Sequence, residues 1–375
     1  MAFICSLLIY DKGIKRNHHH MIQRRLVQLL LAPISLLYGL GVSLRNAFYR
    51  ANLLKSLTFS VPVISVGNLS VGGAGKTPHI EYLIRLLREH IHVATLSRGY
   101  SRKTRGFLEV LPTHNAEQVG DEPLQFKRKY PNISVFVSED RAFAIPQLMM
   151  QHPETQMVLL DDAFQHRSVK PGVNILLTEF SNRFTHDYLL PSGRLREWRS
   201  AYERADVIII SKCPAEVTAA EREAIWAEIN PLPHQQLFFS YYSYQPPYYQ
   251  FNPRYRLQLD DKTEVLLISA IARTDYLVDY LQAQVGTVES LEFEDHHYFT
   301  KEDVSTMHRL FHQLESNRKV IITTEKDAMR LELHREFLIR ERLPIFVLPT
   351  EVKFHFEEGA RFDDLIRDYL LNFKV

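Results

Sequence analysis

The stretch Val61–Thr77, VPVISVGNLSVGGAGKT, sets a lysine and a threonine directly behind three closely spaced glycines. That combination handles phosphate. Gly72, Gly73 and Gly75 let backbone N–H groups turn inward where side chains would obstruct them, and a following helix adds the partial positive charge of its N-terminus. Lys76 then meets β- and γ-phosphate oxygens, and the Thr77 hydroxyl meets Mg²⁺. The expected nucleotide cradle is therefore Ser70, Val71, Gly72, Gly73, Ala74, Gly75, Lys76 and Thr77. Ser70 stands where the usual pattern opens with glycine, and Gly72 and Gly73 supply freedom nearby. The competing reading is a glycine-rich hairpin turn. Against it, the apolar run Val61–Val66 before the loop reads as a buried strand, and Ile80, Leu83, Ile84 and Leu87 after it fall at helical spacing.

Other candidate groups follow. Met157–Leu160 is an apolar strand that runs straight into Asp161 and Asp162. A carboxylate at such a strand end reaches the Mg²⁺ shell of a phosphate-binding loop in the same sheet, and lone buried carboxylates are too costly to serve as filler; exposed loop acids are the alternative. The segment SRGYSRKTRG, residues 97–106, gathers Arg98, Arg102, Lys103 and Arg105 after a strand. It reads equally as a second anion site or as a solvated basic turn. Gln165, His166 and Arg167, and further on Arg194, Arg196 and Glu197, sit on polar segments that can reach a phosphate. In VGDEP, Asp121 is placed to cap a helix with Pro123 in its first turn. The pair His296–His297 lacks a further ligand at zinc spacing, so a histidine turned toward a carboxylate is the better functional reading. TEKDA at 324–328 has the look of the base-reading loop of GTPases.

These residues need a scaffold. The 375 residues carry 45 Lys and Arg against 44 Asp and Glu, so no overall charge argues for nucleic acid. Cys5 and Cys213 form neither a metal spacing nor a disulfide framework, which suits a reduced compartment. Apolar strands at 92–96, 133–137, 157–160, 173–177, 207–210, 265–268 and 319–323 alternate with helical segments. The expected fold is α/β: a P-loop NTPase-type parallel sheet flanked by helices, a smaller C-terminal α/β subdomain, and an N-terminal membrane-docking helix. The expected divisions are a possible extension at 1–20, a membrane-interfacial segment at 21–55, a P-loop nucleotide-binding domain at 56–230 and the smaller domain at 255–375. Pro231–Pro253, rich in Tyr, Phe and Pro, reads as an irregular connection. Lys301–Leu314 reads as a helix capped by Thr300 with Asp303.

Up to residue 55 there are eight lysines and arginines against the single acid Asp11. Anionic lipid attracts such a segment. Within it, Leu26–Leu44 is uncharged and leucine-rich. Its length approaches that of a spanning helix, but Pro33, Gly39, Gly41 and the polar Gln28, Ser35 and Ser43 interrupt it, and a spanning orientation would set more basic residues outside than inside. An interfacial helix meets the same composition without that conflict, and a buried core helix remains a third reading.

SVGNLSVGGAGKTP, SRGYSRKTRG, VGDEP, DDAFQHR, LPSGRLRE, ISAIAR and FEDHHYFT occur in that order, behind SLLYG and RNAFY. In this the chain from Met21 onward resembles the tetraacyldisaccharide 4′-kinases, the lipid A 4′-kinases. The resemblance implies a lipid kinase that uses ATP and Mg²⁺ to phosphorylate the 4′-hydroxyl of a tetraacyldisaccharide 1-phosphate. It also implies a monomer seated peripherally on the cytoplasmic face of the inner membrane. By the same resemblance Asp121 accepts the hydroxyl proton with His296 as its partner. Thr77, Asp161 and Asp162 serve the metal, and Arg98, Arg102, Gln165, His166, Arg196 and Glu197 line the acceptor side. The alternative is a membrane-recruited P-loop GTPase acting as a switch or metallochaperone.

Overall fold

The computed structural model describes residues 19–374; the possible extension lies mostly outside them, as does Cys5. Two sheets organise the chain. The first has nine strands in the order β15-β8-β7-β6-β1-β5-β2-β4-β3. Along the chain these are β1 Val63–Asn68, β2 Val93–Ser97, β3 Leu108–Glu109, β4 Ser134–Val137, β5 Met157–Asp161, β6 Val173–Glu179, β7 Val207–Ser211, β8 Gln236–Tyr244 and β15 Thr350–Phe354. The seven inner strands run parallel, and only the edges β3 and β15 are antiparallel. All six residues of β1 are buried, as those of a central parallel strand should be. Its neighbours split their side chains by the period of two. Ile64, Val66, Met157 and Leu159 enter one core, while Val63, Val158 and Leu160 enter another on the opposite face.

The second sheet has six strands in the order β10-β9-β14-β13-β11-β12. These are β9 Tyr248–Tyr249, β10 Asn252–Arg256, β11 Glu264–Ser269, β12 Thr287–Glu292, β13 Lys319–Thr324 and β14 Ile345–Leu348. Leu266 and Ile268 pack on one face, Val265 and Leu267 on the other. The helix Lys301–Gln313 covers the first face, with the expected capping box between Thr300 and Asp303.

Two expectations are corrected. Pro231–Pro253 is not irregular: β8 fills nine of its residues, because Leu237 and Phe239 face one core while Phe238 faces the other. The tyrosines and phenylalanines that suggested a connection are good strand formers. The stretch 255–375 is divided between the sheets, since β15 pairs with β8 and the helix Gly359–Leu371 buries Phe362 and Ile366 in the first core. That helix also sends the Tyr369 hydroxyl to the Val63 N–H at 3.0 Å. A Cβ at residue 172 would collide with the Tyr369 ring, which is why glycine stands there.

The helix His19–Arg50 runs unbroken through Pro33. Its polar stripe docks: Ser35 donates to the Leu189 carbonyl, and Trp198 donates to the Gly39 carbonyl and Ser43 Oγ. The opposite face stays bare, with Leu29, Leu30, Leu37 and Leu40 between 65% and 75% exposed. Val27–Arg50 is long and apolar enough to cross a membrane. Composition and exposure together indicate membrane association.

Candidate active site

β1 ends in the glycine loop, and the helix Lys76–Leu87 begins at its lysine. Gly75 has φ 86°, a left-handed conformation that glycine adopts freely, and the Tyr242 hydroxyl fills the space a Cβ would need there. The loop is braced from behind. Val71 N–H donates to the Arg194 carbonyl at 2.7 Å, and Asn68 Nδ2 donates to the Ser70 carbonyl at 2.7 Å. His79, buried, bonds the Gly75 carbonyl at 2.7 Å and Ser240 Oγ at 3.0 Å. Burial pushes its pKa down to about 4, so this brace is a neutral imidazole.

Residues from both sheets line a cavity of about 270 Å³ in front of the loop. Lys76, Thr77, Glu122, Asp162 and Arg196 come from the first sheet's side; Asp295, His296 and Lys326 come from the second. Tyr242, Tyr244, Tyr276, Leu277 and Leu348 add aromatic and apolar lining. The glycine loop suits phosphates and the aromatic lining suits a base.

Register places the acids. Val66 of β1 pairs with Asp161 of β5, so the acidic dipeptide emerges beside the glycine loop. The two carboxylates differ in state. Burial pushes Asp161 up to about 8, with Glu122 and Asp162 adding to it against the pull of Lys76. Asp162 is held down to about 2: burial opposes this, but Lys76 at 3.4 Å and Arg196 at 3.1 Å outweigh it. Asp161 Oδ1 is buried without a hydrogen-bond partner. An orphaned carboxylate oxygen, the next residue's carboxylate and the Thr77 hydroxyl together offer oxygen donors of the kind that fits a hard divalent cation carrying phosphates and waters. Among the described residues there is no cluster of three His, Cys, Asp or Glu that could hold a metal ion.

Asp121 opens the helix Asp121–Lys129 and does not cap it: Gly120 takes the cap position, with φ 93°. The carboxylate turns instead to His296, whose Nδ1 lies 3.3 Å from Asp121 Oδ2, and to Arg330 Nε at 3.3 Å. Burial would raise Asp121, but Lys326, His296 and Arg330 hold it well below the usual carboxylate range. His296 stands in the cavity wall and Asp121, 3% exposed, sits behind it. The other histidine bonds Asp303 at 2.8 Å and stacks on Phe293.

Several sequence candidates fall elsewhere. Arg102 spends its Nη2 on the Gly106 carbonyl and Glu139, tying its own loop together, and it does not line the cavity. Glu197, buried, is clasped by Arg204 at 2.9 Å and receives Asn46 Nδ2 at 2.9 Å, so it anchors the N-terminal helix. His166 accepts from the Arg141 N–H at 3.2 Å, and burial followed by Arg141 lowers it to about 4. Gln165 fares better, donating to the Asn68 carbonyl and accepting from Arg196. Arg98 is exposed, outside the cavity, and acts on Arg141 and His166 through its charge. In TEKDA, Asp327 is fully buried, accepts from the Ala270 N–H and Thr324 Oγ1, and pairs with Arg330 at 2.9 Å. Fully buried and outside the cavity lining, it is not placed to read a base.

Missing from the expected set are Asn68, Glu122 and Lys326. Lys76 Nζ rests on Asn68 Oδ1 at 3.2 Å, and Thr77 Oγ1 donates to Glu122 at 3.2 Å. Glu122 stood beside Asp121 in VGDEP, and Lys326 stood in TEKDA; their adjacency to singled-out residues was the available signal.

A glycine loop at the end of a central parallel strand, with acids at the next strand end and a charged cavity facing it, defines a P-loop kinase fold. The family model for tetraacyldisaccharide-1-P 4′-kinase matches residues 27–370. The tetraacyldisaccharide 4′-kinase of Bacteroides thetaiotaomicron is 41% identical over 352 residues, covering 91% of this chain and 92% of its own. That of Flavobacterium johnsoniae is 42% identical over 307 residues, with 82% and 88% covered. Among solved structures, LpxK from Aquifex aeolicus in complex with ATP superposes with a TM-score of 0.70 at 29% identity, covering 92% of this chain and 99% of that one. The chain belongs to the tetraacyldisaccharide 4′-kinase family.

Proposed function

We infer that this kinase transfers the γ-phosphate of ATP to the 4′-hydroxyl of a tetraacyldisaccharide 1-phosphate, a step of lipid A biosynthesis, from the cytoplasmic face of the inner membrane, and that it works as a monomer. The observation that carries the catalytic assignment is the Asp121–His296 contact at 3.3 Å beside the cavity that holds Lys76 and Asp162.

Phosphoryl transfer asks mainly for positioning and charge neutralisation. Ser70–Thr77 cradle the triphosphate, with Lys76 on its outer phosphates. Thr77, Asp161 and Asp162 would hold Mg²⁺, which when bound neutralises phosphate charge. Arg196 keeps Asp162 ionised and in place. The Asp121–His296 pair takes the proton of the 4′-hydroxyl: His296 is the member in the cavity wall, and Asp121 is the buried carboxylate that balances charge on the ring. The proton belongs to the pair rather than to either residue alone. In a loose transition state a strong base is unnecessary, which accommodates a carboxylate held as low as Asp121.

The nine-stranded and six-stranded sheets then act as a nucleotide domain and a smaller domain that meet over ATP. The bare leucine face of the N-terminal helix lies in the membrane interface, where an acceptor with four acyl chains resides. Arg98 and Arg196 meet anionic groups of that acceptor.

The test is transfer of labelled γ-phosphate from Mg·ATP to the lipid in detergent micelles, beside Asp121→Ala and with GTP as competing donor. Product from ATP that collapses in the variant is expected. Full turnover by Asp121→Ala would remove the pair from the mechanism.

A further inference from the structure

The TEKDA motif is left without a function once base reading is excluded, yet its lysine faces the cavity. Lys326 Nζ lies 3.1 Å from Glu122 Oε1 and 3.2 Å from His296 Nε2. We propose that Lys326 is a positioning residue of the phosphoryl transfer, fixing His296 in the tautomer that carries its proton on Nδ1.

The argument is one of donors and acceptors. An ammonium has three protons to donate and no lone pair. His296 Nε2, at hydrogen-bond distance from it, must therefore be the accepting nitrogen. In a neutral imidazole the other nitrogen then carries the proton, and that nitrogen, Nδ1, faces Asp121 Oδ2. The opposite tautomer would set an N–H against the ammonium and a lone pair against a carboxylate. Both contacts would be repulsive.

The surroundings support a fixed ring. His296 has φ 61°, a left-handed conformation uncommon for a residue with a side chain, and such a position persists when its neighbours over-determine it. Its backbone N–H donates to the Ala270 carbonyl at 3.1 Å, Tyr100 lies against the ring with centroids 4.5 Å apart, and Lys326 and Asp121 hold the two nitrogens. One helical turn beyond Lys326, Arg330 reaches Asp121 from the buried side while held by the His297 and Ala270 carbonyls. The helix Glu325–Leu331 thus brings a cation to each member of the pair. Through Glu122, Lys326 is also joined to Thr77, so the same side chain links the nucleotide end to the proton-accepting end.

With the proton on Nδ1, the lone pair of Nε2 is held by the Lys326 ammonium at rest, and a hydroxyl that gives its proton to this nitrogen takes the ammonium's place. The inference rests on the Asp121–His296 reading above, and the experiment separates the two. The full chain, labelled with ¹⁵N-histidine, is examined in micelles by long-range ¹H–¹⁵N NMR, with His296 assigned by difference against His296→Gln. Turnover is measured for Lys326→Met, Lys326→Arg, His296→Gln and Asp121→Asn. The expected result is an Nδ1-protonated His296 in the native chain. Lys326→Met should show mixed tautomers and a kcat reduced tenfold or more, with KM for ATP and for lipid within about twofold; Lys326→Arg, which still donates, should recover the tautomer and part of kcat. An Nε2-protonated ring in the native chain would overturn the proposal even if Lys326→Met failed to fold. So would an unchanged kcat, or a loss confined to KM for ATP. Activity retained by Asp121→Asn would sink the acid–base pair, whereas collapse of Asp121→Asn with normal Lys326→Met would sink only the role of Lys326.

Discussion

Behind the cavity a second charged group joins the two sheets, and its protonation is open to measurement through Glu81→Gln. Glu81, buried in the glycine-loop helix, lies 2.6 Å from Lys129 Nζ and also accepts from Gln125; the same lysine lies 2.6 Å from Glu325 at the start of the Lys326 helix. One lysine cannot neutralise two buried carboxylates. Burial and the charge of Glu325 push Glu81 up from 4.5 to about 7, against the pull of Lys129. The folded chain therefore keeps a proton that the unfolded chain releases near pH 4.5, so the stability tied to it is fully present below that pH and lost as pH rises through about 7. Between pH 5 and pH 8 the loss comes to about 2 to 3 kcal/mol. At roughly 1.3 °C per kcal/mol for a chain of this size, that is about 3 °C in thermal midpoint. Glutamine keeps the hydrogen-bonding shape and removes the charge, leaving Lys129 and Glu325 as a simple pair. Midpoints of native protein and Glu81→Gln, taken by circular dichroism at half-unit steps from pH 5 to pH 8, should diverge by about that amount, with the variant flatter and more stable at the alkaline end. Parallel curves would mean that Glu81 is ionised throughout and that Lys129 alone satisfies both acids, which refutes the reasoning.

Two further predictions concern the site and the membrane face. Asp162→Asn leaves Lys76 and Arg196 without their shared carboxylate and should lower single-turnover transfer about a hundredfold or more, while ATP affinity by equilibrium dialysis changes less than threefold. A rate within threefold of native would take Asp162 out of catalysis. The double change Leu30→Glu with Leu37→Glu strikes two bare leucines, each worth about 2 kcal/mol on transfer from water. Co-sedimentation with phosphatidylglycerol vesicles should drop at least tenfold while turnover in dispersed micelles stays within about twofold; unchanged sedimentation would place the docking surface elsewhere.

What could be read from the sequence was whatever a single short stretch encodes. The glycine loop announces itself because its strand, its glycines and its lysine are consecutive, and the acids of β5 do so because a strand ends on them. Strand alternation also carried through, although in β8 the tyrosines and prolines at 231–253 masked it; Leu237, Phe238 and Phe239 show the pattern once both faces are known to be buried. Direction was harder. Nothing local distinguishes Arg196, which reaches Asp162, from Glu197 next to it, which turns to Arg204 and the N-terminal helix. The same holds for the two histidines, one facing Asp121 and the other Asp303.

The least legible part of the site is the part assembled across the sheets, and the reason is physical. Glu122 and Lys326 are 204 residues apart, and each by itself resembles an ordinary helix-surface charge. Four such pairs meet at one seam: Glu325 with Lys129, Lys326 with Glu122, Arg330 with Asp121, and Glu332 with Arg128. All four second-sheet residues come from Glu325 to Glu332, and all four partners lie between Asp121 and Lys129. Two short segments thus carry complementary charges. Because partly buried ion pairs lose much when one partner is removed, the seam favours a single register over any slipped one. That register is what sets His296 against Asp121. The geometry of the proton-accepting pair is therefore a product of the seam as a whole, and a substitution anywhere along it that preserves the fold but shifts the register should be read first in kcat.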